Sequence, residues 1–374
     1  MKRIYLDYNA STPIAPSVLE AMMPYLTAKF GNPSSSHSFG AECRAAVEQA
    51  RERLAGFLGC GADEIIFTSG ATESNNMVIK GAAKAAGKGK HFITSSIEHP
   101  AVLEPCRHIE RFGYSVTYLP VDRQGMVNPD DLVKAINPET ALVSIMHANN
   151  EVGTVQDIAA LAGIAASKGV PFHTDAAQSV GKVRCRTIEL EVDFLTVAGH
   201  KFYAPKGVGA LYIRRGKKLP PLLHGAGHEH GLRPGTENVA SIVGLSAACK
   251  AAQPLIESEG QRQRQLGQRL FDSLCQKGFG IHLNGHPDKR LPNTWNISFH
   301  GFTAAEVMDA LGVDIAVSPG AACHGDTVTP SHVLTAMGVP PELARGAVRF
   351  SLGRETTEAE IDTVVGILKE KLKK

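Results

Sequence analysis

The run Phe67-Thr68-Ser69-Gly70-Ala71-Thr72-Glu73 sets a strand, a glycine turn and an acidic helix start in succession. Free backbone N–H groups and the positive end of the helix dipole then converge on one point, which suits an anion. Further on, Asp175 of Asp175-Ala176-Ala177-Gln178 closes an apolar run. A carboxylate there can pair with a protonated pyridine nitrogen and make the ring an electron sink. Lys201 follows in Ala198-Gly199-His200-Lys201-Phe202-Tyr203-Ala204-Pro205-Lys206-Gly207, between glycine turns and beside a histidine. Each feature has an ordinary structural account: Thr72 as a helix N-cap, Asp175 capping a turn, Lys201 as a solvated side chain. Their conjunction, in the order anion turn, acidic strand end, lysine, is what points to chemistry. No nucleotide loop competes: no Gly-x-Gly-x-x-Gly follows a strand here, and Gly81 to Gly87-Lys88 has the wrong spacing for a P-loop and lacks its Ser or Thr.

Two more residues extend the set. Cys323 lies in Ser318-Pro319-Gly320-Ala321-Ala322-Cys323-His324-Gly325-Asp326, where small neighbours let a loop move and leave a thiol exposed, and His324 favours the thiolate. The other six cysteines fall in helical or strand-like runs and are expected to be buried. Arg354 follows a strand and a glycine, a place for a surface ion pair or for a two-pronged carboxylate clamp. His224, His228 and His230 have a spacing compatible with a transition metal, but their segment holds no cysteine, and no metal site is expected.

These residues need a frame. Cys43, Ala46, Val47, Ala50, Leu54, Phe57 and Leu58 repeat at helical spacing, and short apolar runs follow at 64–68, 92–94, 141–145, 170–173, 193–197 and 208–213. Helical stretches separate most of the earlier runs. That pattern predicts an α/β domain with a mainly parallel sheet, whose strand C-terminal ends carry ligands. A helix is expected near Glu237–Ser258, then a polar stretch rich in Gln and Arg, then shorter strands at 296–299 and 348–351 and a closing helix with Ile361, Val364, Val365, Leu368 and Leu372 on one face. The expected division is a large domain over 16–258 and a smaller α+β domain of 1–15 with 259–374.

With 374 residues, 43% of them hydrophobic, the chain is long enough for two cores. Lys and Arg exceed Asp and Glu by 39 to 37, so no strong field marks a nucleic-acid or membrane binder. The start, Met1 to Asp7, has no signal-peptide core, no apolar run approaches membrane-spanning length, and the seven cysteines form no Cys-x-x-Cys pair. A cytoplasmic protein acting on small molecules is expected.

The chain resembles class V aminotransferase-fold enzymes, of fold type I among pyridoxal-phosphate enzymes, and within them the cysteine desulfurases and selenocysteine lyases. The resemblance runs from Leu6-Asp7-Tyr8-Asn9-Ala10 through Gly31-Asn32-Pro33-Ser34, Ser69-Gly70-Ala71-Thr72-Glu73-Ser74-Asn75, Glu98-His99, Asn149-Asn150-Glu151-Val152-Gly153 and Arg233-Pro234-Gly235-Thr236-Glu237 to Arg349-Phe350-Ser351-Leu352-Gly353-Arg354. It implies pyridoxal 5'-phosphate as cofactor, with Lys201 carrying it, Asp175 on the pyridine nitrogen, Gln178 and Asn150 around the ring hydroxyl, and His99 stacked on the ring. Ala71, Thr72 and His200 would hold the phosphate, completed by Thr236 from the other subunit of a homodimer. Arg354 would clamp the substrate carboxylate, with Asn150 beside it. Two departures stand out: many relatives have a serine where this chain has Ala198, and often an arginine where it has His230 in a glycine-rich dimer-contact loop.

The implied reaction takes sulfur from L-cysteine. Substrate amine displaces Lys201, the freed lysine removes the Cα proton with His99 as proton shuttle, and Cys323 thiolate attacks the substrate sulfur. A persulfide forms on Cys323 and L-alanine leaves, and an acceptor protein such as an iron–sulfur scaffold takes the sulfur. Two alternatives accompany this reading: a selenocysteine lyase, in which Cys323 is less necessary, and a non-catalytic scaffold that binds sulfur-assembly partners. The scaffold would predict loss of the lysine or the cysteine, and both are present.

Overall fold

The computed structural model describes residues 3–87, 89–324 and 327–372, without the side chains of 321–324 and 327–330. After β1 (Ile4–Tyr5) come β2 (Ile65–Thr68), β3 (His91–Ser95), β4 (Ser115–Leu119), β5 (Thr140–Ser144), β6 (Phe172–Asp175), β7 (Phe194–Ala198) and β8 (Gly209–Ile213). The last seven form one sheet in the order β2-β8-β7-β6-β5-β3-β4. Neighbours run parallel except at β8, which is antiparallel to both β2 and β7. Helices cover both faces, so β2, β3, β6, β7 and β8 are buried along their whole length. Strand periodicity then sorts neighbours to opposite cores: Phe67, Ile93 and Val143 to one, Ile66, Phe92 and Leu142 to the other.

A second body of structure holds β9 (Ile281–Asn284), β10 (Thr294–Phe299), β11 (Ile315–Ala316), β12 (Ser318–Pro319), β13 (Ala321–His324), β14 (Thr327–Pro330) and β15 (Ala347–Ser351). Antiparallel pairing gives the order β12-β15-β10-β9, while β1 returns from the start of the chain to pair with β11. Leu266, Leu270, Trp295, Ile297, Val348, Phe350, Ile361 and Val364 share the core beneath this sheet. The class is therefore α/β with a mainly parallel sheet, joined to a smaller α+β unit.

Several elements differ from expectation. The polar Gln- and Arg-rich stretch is helix, Ile256–Gln276, because Leu266, Leu270 and Leu274 recur every fourth residue and bury one stripe. The preceding helix, Val239–Ala252, packs on the large core instead, and the change of core falls at the turn Gln253–Leu255, just before residue 258. Against the sequence reading, the helical stretch Val239–Gln276 contains a window long and apolar enough to cross a bilayer on length and composition, half of it buried in the protein. The amphipathic strand β4 carries no apolar run and is invisible to a search for one. Cys60 is half-buried and Cys275 exposed, contrary to their expected burial; Cys275 sits beside Leu274, off the buried stripe of its helix.

Candidate active site

Strand ends build the site. Thr68 ends β2, and Gly70 turns the chain at φ 147°, a conformation that glycine reaches without strain, into the helix Ala71–Ala85. The N-cap is Gly70, not Thr72, which occupies the second helical position with its side chain exposed; no side chain caps this helix. Its first N–H groups therefore face the space above the sheet without intrahelical partners. Glu73 accepts the Ser69 N–H at 2.7 Å and Arg233 Nε at 3.0 Å, tying the loop that precedes the Val239–Ala252 helix to the turn.

Asp175 ends β6 only 5% exposed. Asn75 Nδ2 donates to its Oδ2 at 2.7 Å and the Ala177 N–H to its Oδ1 at 2.9 Å, which fixes the carboxylate plane. Lys201 closes a one-turn helix, Gly199–Lys201, after β7. Its ammonium donates to the carbonyls of Asn9 (2.7 Å) and Ala10 (2.9 Å). Burial first, then Arg349, pull its pKa down to about 8. His200 has its pKa lowered to about 4, by burial and then by Lys201, Lys206 and Lys182, and is a neutral ring at pH 7.

His99 caps the helix Pro100–Glu110, its Nδ1 accepting the Ala101 N–H at 3.1 Å. That bond leaves the proton of the neutral ring on Nε2. Its pKa is also lowered, by desolvation first. Gln178 donates from Nε2 to the Asn9 carbonyl at 2.9 Å. All these groups open onto a cavity of about 550 Å³ whose wall includes Ala71, Thr72, His99, Asn150, Asp175, Gln178, His200 and Lys201.

Two expected residues lie elsewhere in this chain. Thr236 is exposed and is not among the residues lining this cavity. Arg354 stacks its guanidinium 4.2 Å from the centre of the Tyr203 ring, in a smaller neighbouring pocket. Tyr8 packs so closely on Gly353 that a Cβ there would sit 2.2 Å from the ring, and Arg354 just beyond it is not among the residues lining the cavity. Arg349 is on the cavity wall instead, from the middle of β15, donating to Asp7 Oδ1 (2.7 Å) and the Asn150 carbonyl (2.9 Å). Of the two arginines of this motif, Arg349 and not Arg354 lines the cavity that holds Lys201 and Asp175. An arginine inside a strand buried throughout was the overlooked signal, since such a charge demands an anion. Asn75, one turn beyond Thr72 on the helix, joins the site only through the fold, as the donor to Asp175.

Cys323 and His324 lie in β13, paired with β14 so that Cys323 opposes Val328, but their side chains lie outside the described residues. Burial pushes Cys106 and Cys185 up to about 12, which disarms them as nucleophiles. Among the described residues no three His, Cys, Asp or Glu side chains gather to hold a metal; His228 Nδ1 accepts the Gly235 N–H at 3.3 Å.

A phosphate-bearing pyridine fits these groups. An uncapped helix N-terminus with a threonine hydroxyl and a neutral histidine faces the cavity, a buried carboxylate held by two donors lies on its wall, and an amine of lowered proton affinity stands there too. This arrangement defines the chain as a member of the class-V aminotransferase family, whose model matches residues 4–364. Over its full length the chain is 49% identical to the cysteine desulfurase IscS of Dictyoglomus turgidum, covering 96% of that protein. It is 47% identical to the mitochondrial cysteine desulfurase of Arthroderma benhamiae, over 99% of this chain and 74% of that one. Among solved structures, a NifS-like protein matches with a TM-score of 0.93 at 40% identity, over 99% of both chains. A structure of SspA in complex with cysteine matches with a TM-score of 0.82 at 41% identity, over 93% of this chain and 98% of that one.

Proposed function

We propose that this chain is a pyridoxal-phosphate-dependent cysteine desulfurase that converts L-cysteine to L-alanine and moves the sulfur onto Cys323. The observation that carries the reading is the convergence of Lys201, Asp175 and the free N-terminus of the Ala71–Ala85 helix on one cavity. Bound there, pyridoxal phosphate supplies an electron sink for the bond-breaking at the substrate Cα and Cβ.

The residues divide the remaining work. The Ala71 and Thr72 N–H groups, the Thr72 hydroxyl and His200 would hold the phosphate, Asp175 would keep a proton on the pyridine nitrogen, and Gln178 and Asn150 would receive the ring hydroxyl. Arg349 takes the substrate carboxylate, its charge already fixed by Asp7. Lys201 Nζ, its pKa lowered to about 8 by burial and then Arg349, would accept the Cα proton as a free amine. His99, on the cavity wall with its proton on Nε2, would lie against the ring and offer that proton. The thiolate of Cys323 then attacks the substrate sulfur: an S–S bond forms, the C–S bond breaks, and the balance is cysteine plus enzyme thiol giving alanine plus enzyme persulfide. An acceptor protein, of the iron–sulfur scaffold kind, then takes the sulfur. Thr236 is exposed on its own chain, which supports a role in the cavity of a second copy.

The test is direct. Purified protein given pyridoxal phosphate is expected to turn yellow, to bleach with borohydride and to carry the reduced label on Lys201, while Lys201→Ala stays colourless. Alanine release from cysteine is expected to fail in Cys323→Ala. A strong preference for selenocysteine with turnover surviving Cys323→Ala would favour a lyase instead, and colourless wild-type protein would sink the cofactor reading.

A further inference from the structure

Lys182 is a second amine close to Lys201, and nothing in the reaction above uses it. Its Nζ donates to Asn9 Oδ1 at 2.9 Å and to Gln178 Oε1 at 2.8 Å. Both acceptors are neutral amides; no carboxylate among the described residues pairs with this ammonium. Burial first, then the charges of Lys201 and Arg349, hold its proton affinity well below that of an ordinary lysine. A cation held against that penalty by two amide oxygens is costly to keep unless its hydrogen bonds order something.

What they order is the sense of two amides. An amide presents oxygen on one side and NH2 on the other, and a lysine in its ammonium form can only donate, so charged Lys182 selects the oxygen of both partners. The NH2 of Gln178 is thereby turned to the Asn9 carbonyl (2.9 Å), the same oxygen that accepts Lys201 Nζ at 2.7 Å. The NH2 of Asn9 is turned to the Asn150 carbonyl (3.1 Å) and Thr294 Oγ1 (2.8 Å). Asn293 Nδ2 joins Lys182 on Asn9 Oδ1 at 3.0 Å, and the Asn9 N–H reaches Ser351 Oγ at 2.9 Å. Every polar atom of Asn9 is thus engaged. Through this one residue the smaller unit, by Asn293, Thr294 and Ser351, is fastened to the lysine and glutamine of the larger.

We infer that Lys182 is a positioning residue: by holding Asn9 Oδ1 and Gln178 Oε1 it keeps the Gln178 NH2 as the donor facing the cavity and keeps the Asn9 carbonyl beneath Lys201. This rests on the reading of Lys201 as the cofactor-bearing lysine. In the absence of Lys182 Asn9 is still held by Asn293, Thr294 and the Asn150 carbonyl, but the Gln178 amide is free to rotate by half a turn, which puts an oxygen where the ring hydroxyl needs a donor.

The test is a double-mutant cycle on cofactor affinity, read from visible absorbance during titration of cofactor-free protein with pyridoxal phosphate. Lys182→Met is expected to weaken binding about tenfold, the scale of a lost charged hydrogen bond, and to shift the visible band, while Lys182→Arg restores most of the affinity. Gln178→Ala is expected to weaken binding too, and Lys182→Met added to it to cost no more than about a further twofold. Near-ultraviolet circular dichroism of each variant confirms that the comparison is made on folded protein. Wild-type affinity in Lys182→Met would overturn the inference, as would fully additive losses in the double variant. Should wild-type protein itself form no visible band, the cofactor reading falls first and this inference with it. A normal wild-type band with no effect of Lys182→Met removes only the positioning role.

Discussion

Asn75 Nδ2 donates to Asp175 Oδ2 over 2.7 Å, joining the second turn of a helix to the end of a strand 100 residues further along the chain. Both residues are buried, Asn75 completely. Asn75→Leu strips one of the two hydrogen-bond donors from the buried Asp175 carboxylate, and is expected to cost about 1–3 kcal/mol of stability in the cofactor-free protein. Thermal unfolding with and without pyridoxal phosphate checks this, and kcat is expected to fall alongside because the ring nitrogen loses an oriented partner. Asn75→Asp, placing like charge against Asp175, is expected to be worse than Asn75→Leu.

Arg349 and Arg354 separate cleanly. Arg349→Lys keeps a cation but loses the two-pronged geometry, and is expected to raise KM for cysteine about tenfold or more with a smaller change in kcat. Arg354→Met removes a guanidinium lying on Tyr203, and is expected to cost ~0.5–1 kcal/mol in stability and leave KM near that of the parent. Steady-state kinetics on both variants decide which arginine binds the substrate.

Burial raises Glu98 to about 8, more than the Ser95 hydroxyl and Met146 N–H bonds to its Oε1 can offset. The unfolded chain releases this proton near its ordinary carboxylate value, the folded chain only near 8, so between those values the folded state binds more protons and stability falls as pH rises. Glu98→Gln keeps the accepting oxygen and never charges. It is expected to match the parent near pH 4.5 and to be more stable at pH 8, by up to ~4 kcal/mol. Denaturant unfolding across that range checks the slope, and an unchanged slope would mean Glu98 is ionised in the fold.

The titration of Lys201 has the opposite use. Below about pH 8 its Nζ is a cation, above it a free amine. In cofactor-free protein its modification by trinitrobenzenesulfonate is expected to rise through a midpoint near 8, well below the midpoint of exposed lysines. Peptide mapping of the modified site across pH provides the measurement.

Arg51 and Glu229 form a buried two-pronged pair at 2.7 Å, and Glu229 Oε2 also accepts the Phe67 N–H at 2.7 Å. This pair fastens the loop around His228 and His230 to the strand that leads into the Gly70 turn. Glu229→Ala leaves Arg51 uncompensated and is expected to cost about 3–5 kcal/mol. The histidines at 224, 228 and 230 are expected to tolerate substitution far better, and unfolding midpoints compare the two.

Much of the site is local, and what is local was legible. The Gly70 turn, the acidic end of β6 and the lysine loop each announce themselves within about ten residues, because turns, strand ends and helix starts are governed by neighbours along the chain. The alternation of apolar runs and helical stretches pointed to the α/β class, the order of those three segments singled out Thr72, Asp175 and Lys201, and the family resemblance added Gln178, His99 and His200. The sheet order was not legible, since strands lying next to one another, such as β3 and β5, are set by packing between distant segments. The same holds for the helix at 256–276, whose polar surface hides a stripe of leucines until there is a core to bury it.

Only the tertiary structure separates Arg349, on the wall of the Lys201 cavity, from Arg354, in the neighbouring pocket. Five residues apart in one motif, they part company because the strand ends at Ser351: Arg354 lies beyond it with its guanidinium on Tyr203, while Arg349 stays in the strand with Asp7 and Asn150. It also decided that Asn9, near the start of the chain, lies under Lys201 and shares its acceptors with Lys182 and Gln178. Contacts of that range depend on where two cores meet, which is a property of packing between the units and leaves no periodic trace in either segment.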